Sequence, residues 1–286
     1  MKHANAPPMP RRKPSRPAEP VPGTAHRGVQ RWRGGVGEAL ADAVAEEVPV
    51  AMRYNGASFA VMMATPCDLE DFAMGFSLSE GLILKPEELL RVEVQPRLEG
   101  IELAMTVAAG TPGAVLGESP TRLLPGRSGC GICGTRELED ALRAPPALDS
   151  DQRYPVAALQ RALETLEQHQ PMNARTGATH AAAWADEAGD IQLVREDVGR
   201  HNALDKLTGA MCRQSLPTTR GLLLISSRAS YEMVSKAAQA GIGIVAALSA
   251  PTALAIDIAQ SAGICLVGFA RQNGYNVYTC AERLQG

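Results

Sequence analysis

The sequence predicts an α/β protein, α+β overall once both halves are counted. Three observations carry that expectation. After residue 150, short apolar runs alternate with amphipathic stretches at helical spacing. Before it, strand-like alternation surrounds the helical segment at Asp68 to Glu80. Residues 1–34 and 144–151 lack periodicity and mark boundaries. With 286 residues, of which 45% are hydrophobic and 21% charged, the chain can bury more than one core and is not disordered throughout.

Residues 1–34 hold eight basic side chains and one acid, a charge of +7, so the remainder carries −10 of an overall −3. Seven prolines fall within the first 22 residues. Almost no large apolar side chain is available there to offset the entropy of ordering. A disordered, basic, Pro-rich arm is expected over 1–34, a first domain over 35–150 and a second over 151–286. No apolar stretch follows the basic residues as a secretory leader would require.

Val48 to Met63 flanks Asn55-Gly56, a hairpin-turn dipeptide, and reads as two paired strands. Asp68 to Glu80 reads as a helix, because Leu69, Phe72, Ala73 and Phe76 recur at helical spacing behind an acidic start. Val92 to Val107 reads as two strands around Gly100. Seven of the 25 residues from Gly110 to Gly134 are glycine, which predicts a mobile loop. Thr135 caps a short helix running to about Arg143, and Val156 to Gln168 is an amphipathic helix. The second half then alternates. Strands are expected at Ala178–Trp184, Ile191–Arg195, Gly221–Ser226, Ile242–Leu248, Ile264–Phe269 and Tyr275–Thr279. Helices are expected at Gly199–Cys212, Ser230–Ala240 and Thr252–Ala262, the last with Pro251 at its start. Such alternation predicts a largely parallel sheet covered on both faces.

The charge balance argues against a nucleic-acid-coating protein. The most apolar stretch, Ala240 to Ala259, is broken by Ser249, Pro251, Thr252 and Asp257, so no membrane span is expected. Six cysteines are too sparse for a disulfide scaffold and predict a reducing, cytoplasmic compartment.

Two of those cysteines lie in Ser128-Gly129-Cys130-Gly131-Ile132-Cys133-Gly134. Thiols three positions apart can attack one atom in turn, or one can resolve a bond made by the other. The flanking glycines remove bulk, and Arg122, Arg127 and Arg136 favour the nucleophilic thiolate. Zinc is the competing reading, yet the other cysteines are scattered and no histidine pair completes four ligands. The His-x-Glu of the zinc deaminases is also missing. Loop-borne sulfur transfer fits the surroundings best.

A second candidate site lies at the carboxyl edge of the expected parallel strands, where open α/β folds bind ligands. Ser226-Ser227-Arg228-Ala229-Ser230 and Ser249-Ala250-Pro251-Thr252 each join a strand to a helix. Hydroxyls, Arg228 and helix N-termini there suit phosphate, although Ser249 and Thr252 serve equally well as caps. Phe269-Ala270-Arg271-Gln272-Asn273-Gly274 follows the next strand with a cation, amides and a turn glycine able to hold a nucleotide. His180 sits in an apolar strand, where a hydrogen-bonded core role is usual. Asp197, Arg200, His201 and Asn202 crowd one strand-to-helix turn.

These motifs together resemble the formate dehydrogenase accessory sulfurtransferase family, FdhD. The matching pieces run in order from about Val48 to Thr279. They are Thr65-Pro66 with Asp71-Phe72-Ala73-Met74-Gly75-Phe76 and Ser79-Glu80-Gly81, the Cys130–Gly134 pair motif, Thr176-Gly177-Ala178-Thr179-His180, the run from Arg195 to Lys206, Ser226-Ser227-Arg228, and Gly268-Phe269-Ala270-Arg271 with Asn276-Val277-Tyr278-Thr279. The resemblance implies a homodimer whose second domain is a three-layer, cytidine-deaminase-like unit without zinc. It implies a sulfurtransferase that takes persulfide sulfur from a cysteine desulfurase. The sulfur goes to the molybdenum bis-guanine-dinucleotide cofactor before that cofactor enters formate dehydrogenase. Cys130 would bear the persulfide, with Cys133 as its partner. The expected cofactor-binding set is Phe269, Ala270, Arg271, Gln272, Asn273 and Gly274, with Ser226, Ser227, Arg228, His180, Arg200 and His201. The rival reading is a cofactor chaperone whose cysteine pair serves only docking or redox sensing.

Overall fold

The computed structural model describes residues 21–116, 147–148 and 152–286. The cysteine pair Cys130/Cys133, the helix expected at 135–143, most of the glycine-rich stretch and residues 1–20 lie outside the described residues.

The chain from Thr24 onward is not the disordered arm expected through residue 34. Strand β1 (Thr24–Arg33) pairs antiparallel with β2 (Val36–Ala45). Gly34 and Gly35, both at positive φ (56° and 82°), form the two-residue turn between them. Two of the basic side chains that suggested an arm face acids across the hairpin: Arg27 opposite Asp42 and Arg31 opposite Glu38. Arg31 reaches Asp42 diagonally at 3.6 Å. The expected boundary after residue 34 therefore falls inside a turn.

Strands β3 (Val48–Tyr54) and β4 (Ala57–Ala64) form the hairpin predicted at Asn55-Gly56. With β5 (Leu89–Pro96) and β6 (Ile101–Val107) they build a four-stranded sheet in the order β4-β3-β6-β5. Helix α1 (Leu69–Ser79) packs Leu69, Phe72, Ala73 and Phe76 onto it, with Val50, Met52, Leu103 and Met105 in the same core.

The larger sheet has the order β13-β12-β11-β10-β8-β9. It comprises β8 (His180–Ala185), β9 (Ile191–Asp197), β10 (Leu222–Ile225), β11 (Ile244–Ala247), β12 (Cys265–Arg271) and β13 (Gly274–Val277). It is mixed, not largely parallel: of its neighbouring pairs only β10–β11 and β11–β12 are parallel. Short hairpin connections force the other strands antiparallel, because a parallel return needs a crossover of a dozen or more residues. Gly189 (φ 83°) turns β8 into β9, and Gln272-Asn273 turns β12 into β13.

Both faces are covered, as expected. Tyr154 and helix α2 (Val156–Thr165) pack on the side of Leu222 and Leu224. Past a short α3 (Pro171–Thr176), helices α4 (Arg200–Arg213), α5 (Tyr231–Gln239) and α6 (Ala253–Ala262) cover the side of Leu223 and Ile225. At the carboxyl end β14 (Leu284–Gln285) pairs with β7 (Tyr154–Pro155).

The two sheets meet where α1 crosses α4. A Cβ at Gly75 would collide with the Asp205 carbonyl oxygen, and one at Gly209 with that of Asp71. Two glycines thus allow backbone-to-backbone contact at the crossing.

Candidate functional site

The polar run from Arg195 to Lys206 works mainly at this seam. Asp197, at the end of β9, is fully buried. Its Oδ1 accepts from Gly199 N at 2.8 Å and Asn202 Nδ2 at 2.9 Å. Its Oδ2 accepts from Thr65 N at 3.0 Å and lies 2.6 Å from Lys206 Nζ. Lys206, itself fully buried, also donates to Thr65 O at 2.9 Å, and Asn202 to Met63 O at 2.8 Å. Arg195 and Arg213 grip the two oxygens of Asp71, each with a 2.7 Å contact. Buried charges need such partners, since an isolated one costs several kcal/mol. These residues join the sheets.

The carboxyl edge of the larger sheet is different. Strands β10, β11 and β12 end there, β8 begins there, and β9 ends there, with His180 opposite Asp197. Ser226 is fixed by exchange with β8: its N–H donates to Ala181 O at 2.9 Å, and its Oγ accepts from Ala181 N at 2.8 Å. A cleft of about 500 Å³ opens at this edge. Along the sheet it is lined by His180, Ser226, Ser249, Ala270, Arg271 and Gln272. Its other wall is the segment joining α2 to α3, with Leu163, Leu166, Glu167, Gln170 and Asn173. Buried Glu196 braces that wall, accepting from Met172 N at 2.9 Å, Asn173 N at 2.7 Å and Thr179 Oγ1 at 3.1 Å.

Five of the expected binding residues therefore meet in one cleft: His180, Ser226, Ala270, Arg271 and Gln272. Phe269 stands beside it, exposed, on a bulge of β12, in the left-handed region (φ 51°) that a bulky residue rarely adopts. Its N–H is held by Ser249 O at 3.1 Å. Asn273 and Gly274 sit exposed on the following hairpin and do not line the cleft. Ser227 turns inward, its Oγ donating to Arg228 O at 3.1 Å, while Arg228 is exposed outside the cleft. Thr252 is a cap: its hydroxyl accepts from Ala255 N at the start of α6.

Arg200 and His201 open helix α4 beside His180. Burial first, then the positive charges of Arg200 and His201, push the His180 ring below its ordinary pKa, which keeps it neutral near pH 7. The His201 ring, 94% buried, has its Nε2 3.4 Å from Glu232 without a well-aligned hydrogen bond. That ring, aided by the Ser230 hydroxyl at 2.9 Å and against burial, holds the Glu232 carboxyl down at about 2. Arg200 Nε is likewise buried without a hydrogen-bond partner.

Of that wall, only the short helix α3 escaped the sequence reading, which has Leu163, Leu166 and Glu167 in the helix expected at Val156 to Gln168. Pro171 at the first helical position and Gly177 in the left-handed region (φ 63°) frame α3, and those signals could have revealed it.

Four cysteines are described: Cys67, Cys212, Cys265 and Cys280, all free. Burial raises every one of these thiols, Cys67 to about 11 and Cys265 to about 12. None is a ready nucleophile. The chain leaves the described structure at Leu116, packed on the first core, and returns at Leu148, packed on the second, with its N–H bonded to Ala262 O at 2.9 Å.

Fold and site together define a two-sheet α/β protein with a nucleotide-sized, donor-rich cleft at the carboxyl edge of three parallel strands. The chain belongs to the FdhD/NarQ family, which it matches over residues 45–285. It is 54% identical over 269 residues to the sulfur carrier protein FdhD of Xanthomonas campestris pv. campestris (strain B100), covering 94% of this chain and 95% of that one. The protein of the same name from Bordetella petrii is 48% identical over 263 residues, covering 91% and 94%. A crystal structure described as a formate dehydrogenase accessory protein from Desulfotalea psychrophila shares the fold. Its TM-score is 0.71 at 24% identity, covering 92% of this chain and 100% of that one.

Proposed function

We propose that this protein is a sulfur carrier for formate dehydrogenase, receiving sulfane sulfur from a cysteine desulfurase on Cys130. It delivers that sulfur to a molybdenum bis-guanine-dinucleotide held as cargo in the carboxyl-edge cleft. The reading assigns the cysteine pair to the domain over 35–150 and the cargo site to the cytidine-deaminase-like domain over 151–286. It takes the working form as a cytoplasmic homodimer. No helix among the described residues is long and apolar enough to cross a membrane.

The single observation that carries the proposal is the cleft. His180, Ser226, Ser249 and Arg271 come from four neighbouring strands and leave donors facing one space of about 500 Å³. Anionic phosphates are the ligand class such a row suits. The names of the relatives support sulfur carriage, and the raised thiols of the described cysteines leave Cys130 and Cys133 as the nucleophiles to consider.

The sulfur step balances simply. The Cys130 thiolate attacks the outer sulfur of the donor persulfide, forming one S–S bond and expelling the donor cysteine as thiolate. Attack of the Cys133 thiolate on the Cys130 sulfur then expels hydrosulfide toward the cargo. The two electrons come from the pair, which becomes a disulfide, and a cellular dithiol returns it to the reduced state. Arg271 and the edge hydroxyls hold the phosphates meanwhile, and neutral His180 can donate one hydrogen bond without adding charge.

Complementation tests the proposal in a strain lacking the gene. Wild type should restore formate dehydrogenase activity, Cys130→Ala should not, and Arg271→Ala should restore it weakly. Full activity with Cys130→Ala would favour the rival reading, a chaperone that only binds the cofactor.

A further inference from the structure

The cleft has two chemically unlike walls. Strand order sets the first as a row: Arg271, Ser249, Ser226 and His180. Adjacent strands lie about 4.8 Å apart, so the row spans roughly 14 Å, room for a diphosphate and its sugar. It offers a guanidinium, two hydroxyls and an imidazole, and no carboxylate.

The opposite wall, between α2 and α3, offers the reverse. Leu163 and Leu166 are buried and supply apolar surface. Gln170, 5% exposed, spends its Nε2 on Leu166 O at 3.2 Å, which leaves its Oε1 as an acceptor. Among the described residues Glu167 is the one carboxylate lining the cleft, and its side chain makes no hydrogen bond or ion pair with any of them.

We infer that Glu167 selects the base of the cargo, a proposal that rests on the cleft being a guanine-nucleotide site. Guanine presents two donors side by side, N1–H and the exocyclic N2–H, which one carboxylate accepts together. Adenine presents an unprotonated N1 and a C–H at the same places, so a carboxylate there meets an acceptor and nothing to bind. The leucine patch lies under the base while the strand-edge row holds the phosphates.

Calorimetric titration of the full chain with guanosine, adenosine and xanthosine diphosphates tests this. Wild type should prefer the guanosine form by at least about tenfold, because a site built on charged hydrogen bonds rejects ligands lacking the donors. Glu167→Gln should lose about tenfold for guanosine diphosphate and gain for the xanthosine form. The new amide then donates to the C2 oxygen of xanthine and accepts from N1–H. Unchanged selectivity in Glu167→Gln would overturn the inference while leaving the nucleotide site standing. Equal losses for all three ligands would also overturn it, marking a change of cleft shape. If wild type binds none of them, the nucleotide reading of the cleft fails as well.

Discussion

Asp197 and Arg271 end strands β9 and β12 at the same edge of one sheet, four strand positions apart, and live under opposite rules. At the seam, Asp197 is fully buried and both its oxygens are fully used by Gly199, Asn202, Thr65 and Lys206. At the cleft, Arg271 and Gln272 are exposed and their side chains have no partner among the described residues. Saturation of hydrogen-bonding capacity distinguishes a structural polar cluster from a binding one, even where both carry dense polar sequence motifs.

The largest effect expected from breaking this contrast is at Lys206. Lys206→Met strands the buried Asp197 carboxylate and should cost about 3–5 kcal/mol of unfolding free energy by chemical denaturation. Gly75→Ala comes next. Its methyl forces α1 and α4 apart and should cost about 1–3 kcal/mol with no direct effect on ligand contacts. Arg271→Ala should do the converse, weakening guanosine diphosphate binding about tenfold while the melting temperature stays within about 1 °C of wild type.

The smallest effect is a pH window at Glu232. Its carboxyl stands at about 2 in the fold against 4.5 unperturbed, so folding favours the ionised form. That stability is fully present above pH 4.5 and is lost as pH falls through about 2. The difference in stability between wild type and Glu232→Gln should therefore close as pH falls from 4.5 through about 2. A difference that failed to close between pH 4.5 and about 2 would refute the depressed carboxyl at Glu232.

Much of this contrast was legible in the sequence, for physical reasons. Helical spacing at Leu69, Phe72, Ala73 and Phe76 and the Asn55-Gly56 turn translate directly into α1 and the β3–β4 hairpin, because local sterics and one buried face decide both. Strand direction was written in the spacing but overlooked: six residues separate the strands expected at 178–184 and 191–195, and five those at 264–269 and 275–279, gaps too short for a parallel crossover. The hairpin at 24–45 hid behind charge, since Arg27 and Arg31 look solvated until Glu38 and Asp42 are seen across the strands. Within the site, Arg271 and Gln272 were found from their place after a strand. Glu167 was not, because a lone acid on a short turn has no pattern until the fold sets it beside a cleft. Asp197 and Lys206 were noticed as a motif, but their seam role depends on Thr65, more than a hundred residues away.

The most direct test of the account is the mass of Cys130 after incubation with a cysteine desulfurase and cysteine. The expected result is a gain of about 32 Da, one sulfur atom, on the peptide holding Cys130, absent from Cys130→Ala and removed by a dithiol reductant. An unmodified Cys130 under conditions where the desulfurase itself carries persulfide would contradict the account.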